Sequence, residues 1–251
     1  MTDIIGANHA SGHLLPTHNK LPAGQGIEWL KQAWELFKKD FIIWLVLMVV
    51  WLIAIFIVSF IPFIGSLAVS LATPAIIAGF FYAAHQAHQG NKVQFEDVFY
   101  GFKNKLEPLL ILGAIQLGFY FALALVTVLG VTLGGVALFA SAAADSTASM
   151  LVTMALAAVG TLVLILISIP FSMAMLYAPL LVLLHDMTAT QALSRSFKAC
   201  LSNWLPWLLF SIVVTVLFML SALTLFIGAI VIAVLCVISV YLSYRSVFLK
   251  A

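Results

Sequence analysis

The sequence predicts an all-α integral membrane protein with six transmembrane helices, and three observations carry that prediction. The chain is 64% hydrophobic and 8% charged, whereas a soluble domain carries roughly 25% charged residues. A surface so poor in charge needs lipid around it. Second, six apolar stretches are each long enough for a bilayer core of about 30 Å, which takes about 20 helical residues. Third, all eleven Lys and Arg residues fall on one side of the six-span arrangement. They are Lys20, Lys31, Lys38, Lys39, Lys92, Lys103, Lys105, Arg195, Lys198, Arg245 and Lys250. Basic residues collect on cytoplasmic loops, so both termini are expected in the cytoplasm.

Residues 1–26 are punctuated by Gly, His and Pro and contain no apolar run of the kind a secretory signal needs. They are expected to form a flexible cytoplasmic tail, with residues 27–251 a single membrane domain. No charge occurs between Phe41 and Ala84, and Ile61-Pro62-Phe63-Ile64-Gly65 breaks that run. Span 1 is therefore placed at about 41–60 and span 2 at about 66–86. Span 3 (about 106–128) opens with Glu107 and Pro108, and Pro is tolerated in a first helical turn. Beyond it lies Asp145, the only charge on the far side, in a segment of small residues. Three readings of residues 130–157 stand open: external loop, lead-in helix, or re-entrant segment. The uncharged run from Met150 to Leu184 is about 52 Å as a helix. It is expected to hold one tilted span (about 158–184), kinked at Pro170 and Pro179. Spans 5 and 6 follow at about 204–222 and 225–244, with Gly228 at the start of the last span. Tyr241, Tyr244 and Arg245 mark its cytoplasmic end, where Tyr and Arg anchor helices.

A short amphipathic helix is expected before each odd-numbered span. In the first, Ile27, Leu30, Trp34, Phe37 and Phe41 line one face, with Lys38 and Lys39 on the other. In the second, Phe95, Val98, Phe99, Phe102 and Leu106 oppose Lys103. In the third, Leu193, Phe197, Cys200 and Trp204 oppose Arg195 and Lys198. Spacings of three and four put each apolar set on one side of a helix. The three align without gaps when Asp40, Lys105 and Asn203 are superposed. Trp34, Phe99 and Phe197 then coincide, as do Phe37, Phe102 and Cys200, and Pro108 falls on Pro206. One reading is a unit of interfacial helix plus hairpin used three times, related by an axis along the membrane normal. The other is three unrelated helices made alike by the same interface. The anchors expected to meet the interface are Trp34, Phe37, Lys38, Lys39, Phe99, Phe102, Lys103, Phe197, Lys198, Trp204, Tyr244 and Arg245.

The chain carries no phosphate loop, nucleophile elbow, HExxH or paired-cysteine motif. No catalytic, cofactor-binding or metal-binding residue is assigned, and an enzyme is not expected. One polar cluster has the donor types of a metal site. His85 and His88 share a face at the end of span 2, and His185 and Asp186 close span 4. The bland alternative is that polar groups collect where water begins. His9, His13 and His18 are too irregularly spaced for a zinc motif. The spans hold no acidic or basic residue away from their ends, which argues against a pathway built on charged side chains. Gln116, Thr73, Ser168 and Ser172 are expected to hydrogen-bond between helices. Gly113, Gly118, Ala122 and Ala124 are expected to let helices pack closely. Cys200 and Cys236 form no disulfide framework. The net charge of +2 is too small to suggest nucleic acid.

The stretches LPAGQGIEWLKQAWELFKKDFIIW, IPFIGSLAVSLATPAIIAGFFYAAHQAHQG and FEDVFYGFKNK, with MLYAPLLVLLHD, ALSRSFKACLSNWLP and VYLSYRSVF, follow in order. Together they resemble a family of uncharacterised six-span inner-membrane proteins of Gram-negative bacteria. The resemblance covers about residues 21–128 and 165–248. More distantly the chain is similar to envelope-maintenance membrane proteins of enteric bacteria and to membrane domains fused to some phosphodiesterases. The resemblance implies an inner-membrane address and brings no catalytic residues. The expectation is a non-enzymatic membrane protein that supports membrane or envelope homeostasis, with lipids or another membrane protein as partner. The alternative is a transporter or lipid-handling protein with a site between spans 2 and 4, where Pro74 and Pro170 interrupt the helices.

Overall fold

The computed structural model describes residues 14–61, 64–143, 146–224 and 227–250. His9, His13, Pro62, Phe63 and Asp145 lie outside the described residues. Among those described there are nine α-helices and no strand beyond an isolated bridge between Leu14 and Leu249. Six of the helices are long and apolar enough to cross a membrane. Span 1 is α2 (Phe41–Ser59) and span 2 is α3 (Ile64–His88). Spans 3 and 4 are α5 (Leu106–Ala143) and α6 (Thr147–His185), and spans 5 and 6 are α8 (Trp204–Ser221) and α9 (Ile227–Phe248). The short helices are α1 (Gln25–Lys39), α4 (Tyr100–Asn104) and α7 (Ala189–Ser202). A 3-10 turn, Phe95–Phe99, leads into α4.

Of the three readings of residues 130–157, the helical one is seen: residues 130–143 and 147–157 are helix. Consequently α5 runs for 38 residues and α6 for 39, against 19 for α2 and 18 for α8. The segment is rich in Ala and Leu, which hold a helix wherever nothing breaks it. One expectation needs correction: the tail is not free up to residue 26. From Leu14 onward it lies across the ends of α7 and α9, with Leu15 N–H on Phe248 O and Asn19 N–H on Val247 O, both at 2.8 Å.

The three superposed residues are structurally equivalent. Asp40, Lys105 and Asn203 are each the single residue between a short helix and the span that follows. Their φ/ψ values are −134/42, −140/38 and −114/30. Each carbonyl accepts a bond from the residue four ahead: Trp44 at 3.3 Å, Leu109 at 3.3 Å and Trp207 at 3.4 Å. Burial repeats too. Ala33, Val98 and Ser196 are aligned and buried, as are Leu36, Gly101 and Ala199.

Packing closes the pattern into a ring. The turn preceding α4, and α4 itself, pack on α3; α7 packs on α6; α1 packs on α9. Each short helix thus rests on the second span of the preceding hairpin, and the first unit rests on the last. The second spans α3, α6 and α9 touch one another, forming the centre. Shared interface physics would make three helices amphipathic. It would not give them the same joint or the same cyclic partner, so the repeated-unit reading is the one the geometry supports.

Candidate functional site

All the basic residues among those described gather at one end of the bundle, where α1, α4 and α7 form a collar. The first collar helix, α1, has two apolar faces. On α1, Trp29, Ala33, Leu36 and Phe37 are buried against the protein. The face read from the sequence is the adjoining one, shared at Phe37 and turned outward at Trp34, 44% exposed, and Phe41, 50%. Trp29 was missed because period counting found the outer stripe first. Its indole donates to Ser246 Oγ at 3.0 Å and its ring lies 5.1 Å from that of Trp207.

The expected anchors differ in exposure. Trp34, Phe99 and Trp204 are exposed, Phe102 and Phe197 half-buried, and Lys38, Lys39, Lys103 and Lys198 exposed. Arg245 is half-buried, its Nη1 donating to Tyr241 OH at 3.5 Å. Two anchors are corrected. Phe37 is buried beneath Trp34, their rings stacked 5.6 Å apart. Tyr244 is 1% exposed and hydrogen-bonds His185. A tyrosine at a helix end looks like an interfacial anchor in a sequence, but a central helix buries it instead.

The polar cluster with metal-site donor types does not assemble. His85 Nδ1 meets Tyr241 OH at 2.8 Å, and Gln89 Nε2 approaches its other ring nitrogen at 3.0 Å. His185 pairs with Tyr244, and Asp186 forms an ion pair with Lys105. His88 is exposed, its ring 6.1 Å from that of Tyr241. Among the described residues no group of three or more His, Cys, Asp or Glu side chains could hold a metal. These histidines join α3 and α6 to the central helix α9.

Further pins surround them. Tyr177 OH donates to Ser243 Oγ at 3.1 Å and accepts from Trp207 Nε1 at 3.0 Å. Ser196 enters the backbone ladder of α6, donating to Met173 O at 2.7 Å and accepting from Tyr177 N–H at 3.0 Å. A side chain inserted there lets a helix bend. Asn203, buried at its joint, binds the strap that precedes α1. It accepts from Leu21 N–H at 2.8 Å and donates to Asn19 O at 2.9 Å. His18 completes the strap on Ser202 Oγ at 2.7 Å, and Arg195 donates to the carbonyl of Leu15. The sequence signalled none of these pairs, since partners 19 to 184 residues apart leave no local period.

Other polar groups are spoken for locally. Thr73, Ser168 and Ser172 bond carbonyls of their own helices, not a neighbour's. Cys200 and Cys236 are free, and burial pushes the Cys200 thiol up to about 12, so it has no thiolate to offer at neutral pH. The Asp97 carboxylate accepts from Gln94 N–H at 2.8 Å, while burial holds its pKa above the usual range.

Hollows open at two places among the described residues. The smaller lies between the far ends of α2 and α3, lined by Ser59, Gly65, Ser66 and Ser70. The larger, about 900 Å³, separates α5 from α6. Neither lies between spans 2 and 4, where Ala75, Ala78, Tyr177, Leu180 and Leu181 are fully buried. The family described as a domain of unknown function (DUF7847) matches residues 62–249. The chain belongs to that family. The matched region takes in α3, the collar helices α4 and α7, the three central helices and the long hairpin. No curated protein and no solved structure matches the chain significantly. The DUF7847 fold therefore has to be read from its own geometry.

Proposed function

We propose that this DUF7847 member is a non-enzymatic protein of the bacterial inner membrane. Its basic end and both termini face the cytoplasm, and its collar holds anionic lipid at the headgroup boundary in support of membrane homeostasis. One observation carries the reading: the collar is fixed to the bundle on its inner side, while Trp34 on α1, Phe95 and Phe99 in the turn before α4, and Trp204 just after α7 are left outward beside exposed lysines. Interfacial helices seat such a face about 5–10 Å into the headgroup boundary. A lysine near an anionic surface contributes about 1 kcal/mol.

The test uses the whole protein in nanodiscs of phosphatidylethanolamine with a minor fraction of phosphatidylglycerol. Native mass spectrometry should find phosphatidylglycerol enriched among retained lipids. The variant K38Q/K39Q/K103Q/K198Q should lose that enrichment while keeping its melting temperature. Retention that mirrors the bulk composition would overturn the proposal, as would substrate-saturable solute flux in vesicles. A second reading, lipid handling, draws on the hollow between α5 and α6 rather than on spans 2 and 4.

A further inference from the structure

At 1.5 Å per residue, α5 and α6 are about 57 and 58 Å long, whereas α2 and α8 are about 29 and 27 Å. The shorter pair matches a hydrocarbon core of about 30 Å. All three first spans start from equivalent joints, so the middle hairpin reaches about 28 Å further than the other two. Tilt does not hide the difference. Laying 57 Å within 30 Å takes about 58°, beyond the range of roughly 0–40° for membrane helices.

The overhang is nonetheless apolar. No described residue between 126 and 161 is charged, and Leu133, Val136, Phe139, Leu151 and Leu156 are each at least 67% exposed. The crevice runs from Phe119 to Leu138 on α5 and from Thr153 to Ile167 on α6. By helical rise it begins about 20 Å above the joint, at hydrocarbon depth, and ends about 48 Å above it. At its base Phe119 and Phe171 stack with centroids 3.8 Å apart. The hydroxyls on its walls face no deficit. Thr127, Thr153 and Thr161 donate to Leu123, Ser149 and Ala157 carbonyls of their own helices. An occupant therefore needs no hydrogen-bonding groups.

The dimensions suit extended chains: about 900 Å³ spread over about 28 Å is a long, narrow cleft open to the lipid-facing surface. Gly130, Gly134, Gly135 and Gly160 open the space, with nothing within 4 Å of where a Cβ would stand.

We propose that the α5–α6 crevice binds the acyl chains of a bilayer phospholipid. Its continuity with the lipid-facing surface gives those chains an apolar path from the far leaflet to beyond the membrane edge. The proposal rests on the second reading above and is independent of the collar.

Purified protein is placed in vesicles holding a phosphatidylethanolamine with a diazirine near the acyl terminus. After irradiation, labelled peptides are mapped by mass spectrometry. Labelling is expected to concentrate on residues 126–138 and 153–164 and to exceed that on α2 and α8 several-fold. The variant G134L/G160L, whose new side chains enter open space, should lose that excess and leave α2 and α8 labelling unchanged. Uniform labelling of all lipid-facing helices would overturn the proposal, as would labelling that survives the filled crevice. A crosslinked pair of chains in place of lipid adducts would equally overturn it, by making the crevice a protein interface. The collar variant should label the crevice normally, so the two proposals can fail separately.

Discussion

The packed base of this bundle and its long α5–α6 arm use the same residue for opposite purposes. Near the collar, a Cβ on Gly79 would strike the Val98 carbonyl, and one on Gly113 the Leu71 carbonyl. Further along α5, Gly130, Gly134 and Gly135 face open space. The first set brings backbones together where three units close a ring. The second leaves the gap between two helices unfilled where only the middle unit continues. The fold is thus a near-three-fold packed base carrying one unsymmetrical apolar arm. Packing explains the base; only an occupant or a surrounding medium explains the arm.

That contrast gives the largest expected effect. Gly79→Ala should destabilise the protein by about 1–3 kcal/mol, because a new atom meets backbone that cannot rotate away. Gly134→Ala and Gly135→Ala should instead stabilise by about 0.5–1 kcal/mol each, since helical glycine costs about that much relative to alanine. Denaturant unfolding in one detergent would measure all three. The same sign at both ends would break the comparison.

The next effect concerns how the ring is closed. Asn203→Ala would leave Leu21 N–H and Asn19 C=O without that partner, a loss of about 2 kcal/mol where such groups are buried. Limited proteolysis should then cut within residues 14–24 before any span is attacked. If that segment stays protected, the strap is held by something other than the joint.

How much of this was legible in the sequence depends on range. The joints were legible because each is one polar residue interrupting an amphipathic period, so Asp40, Lys105 and Asn203 could be superposed by eye. The spans were legible because a bilayer demands a fixed length of apolar helix. That rule also misled. Applied to span 3 it stopped the helix near Val128, although the Ala- and Leu-rich continuation had no reason to unwind. Trp29 was overlooked because α1 has two apolar faces and the outer one has the larger side chains. Tyr241 and Tyr244 looked like interfacial anchors because sequence position gives depth but not which side of a helix faces its neighbours. Thr73 and Ser168 looked like interhelical donors for a related reason: a hydroxyl within a helix always has its own carbonyl four residues back.

A smaller effect tests whether the histidines are pins. Tyr241→Phe removes the hydroxyl that meets His85 Nδ1. Hydrogen bonds between membrane helices average about 0.6 kcal/mol, with an upper end near 1.7. The pair is buried, so about 1 kcal/mol is expected from a double-mutant cycle with His85→Ala. Coupling near zero would reduce the pair to bystanders, and the cohesion of the base would rest on apolar packing alone.

The smallest effect belongs to the ion pair between Lys105 and Asp186, and its smallness is the point. It bridges the joint of the second unit to the end of α6, where Asp186 takes a left-handed conformation at φ 53°. The aspartate side chain is 72% exposed and the lysine 35%, so water screens the attraction. Exposed pairs contribute roughly 0–1 kcal/mol, and Lys105→Gln should cost no more than about 0.5 kcal/mol. Equivalent positions in the other units, Asp40 and Asn203, carry no positive charge yet form the same joint. The geometry is therefore set by the backbone turn and the buried face, not by charge. Hydrogen exchange of the Leu109 amide, which spans the joint, reports on this directly. Exchange in Lys105→Gln should match the unaltered protein. A large acceleration would mean that the second joint, unlike the other two, depends on its ion pair, and that the middle unit differs from its neighbours at its base as well as in its arm.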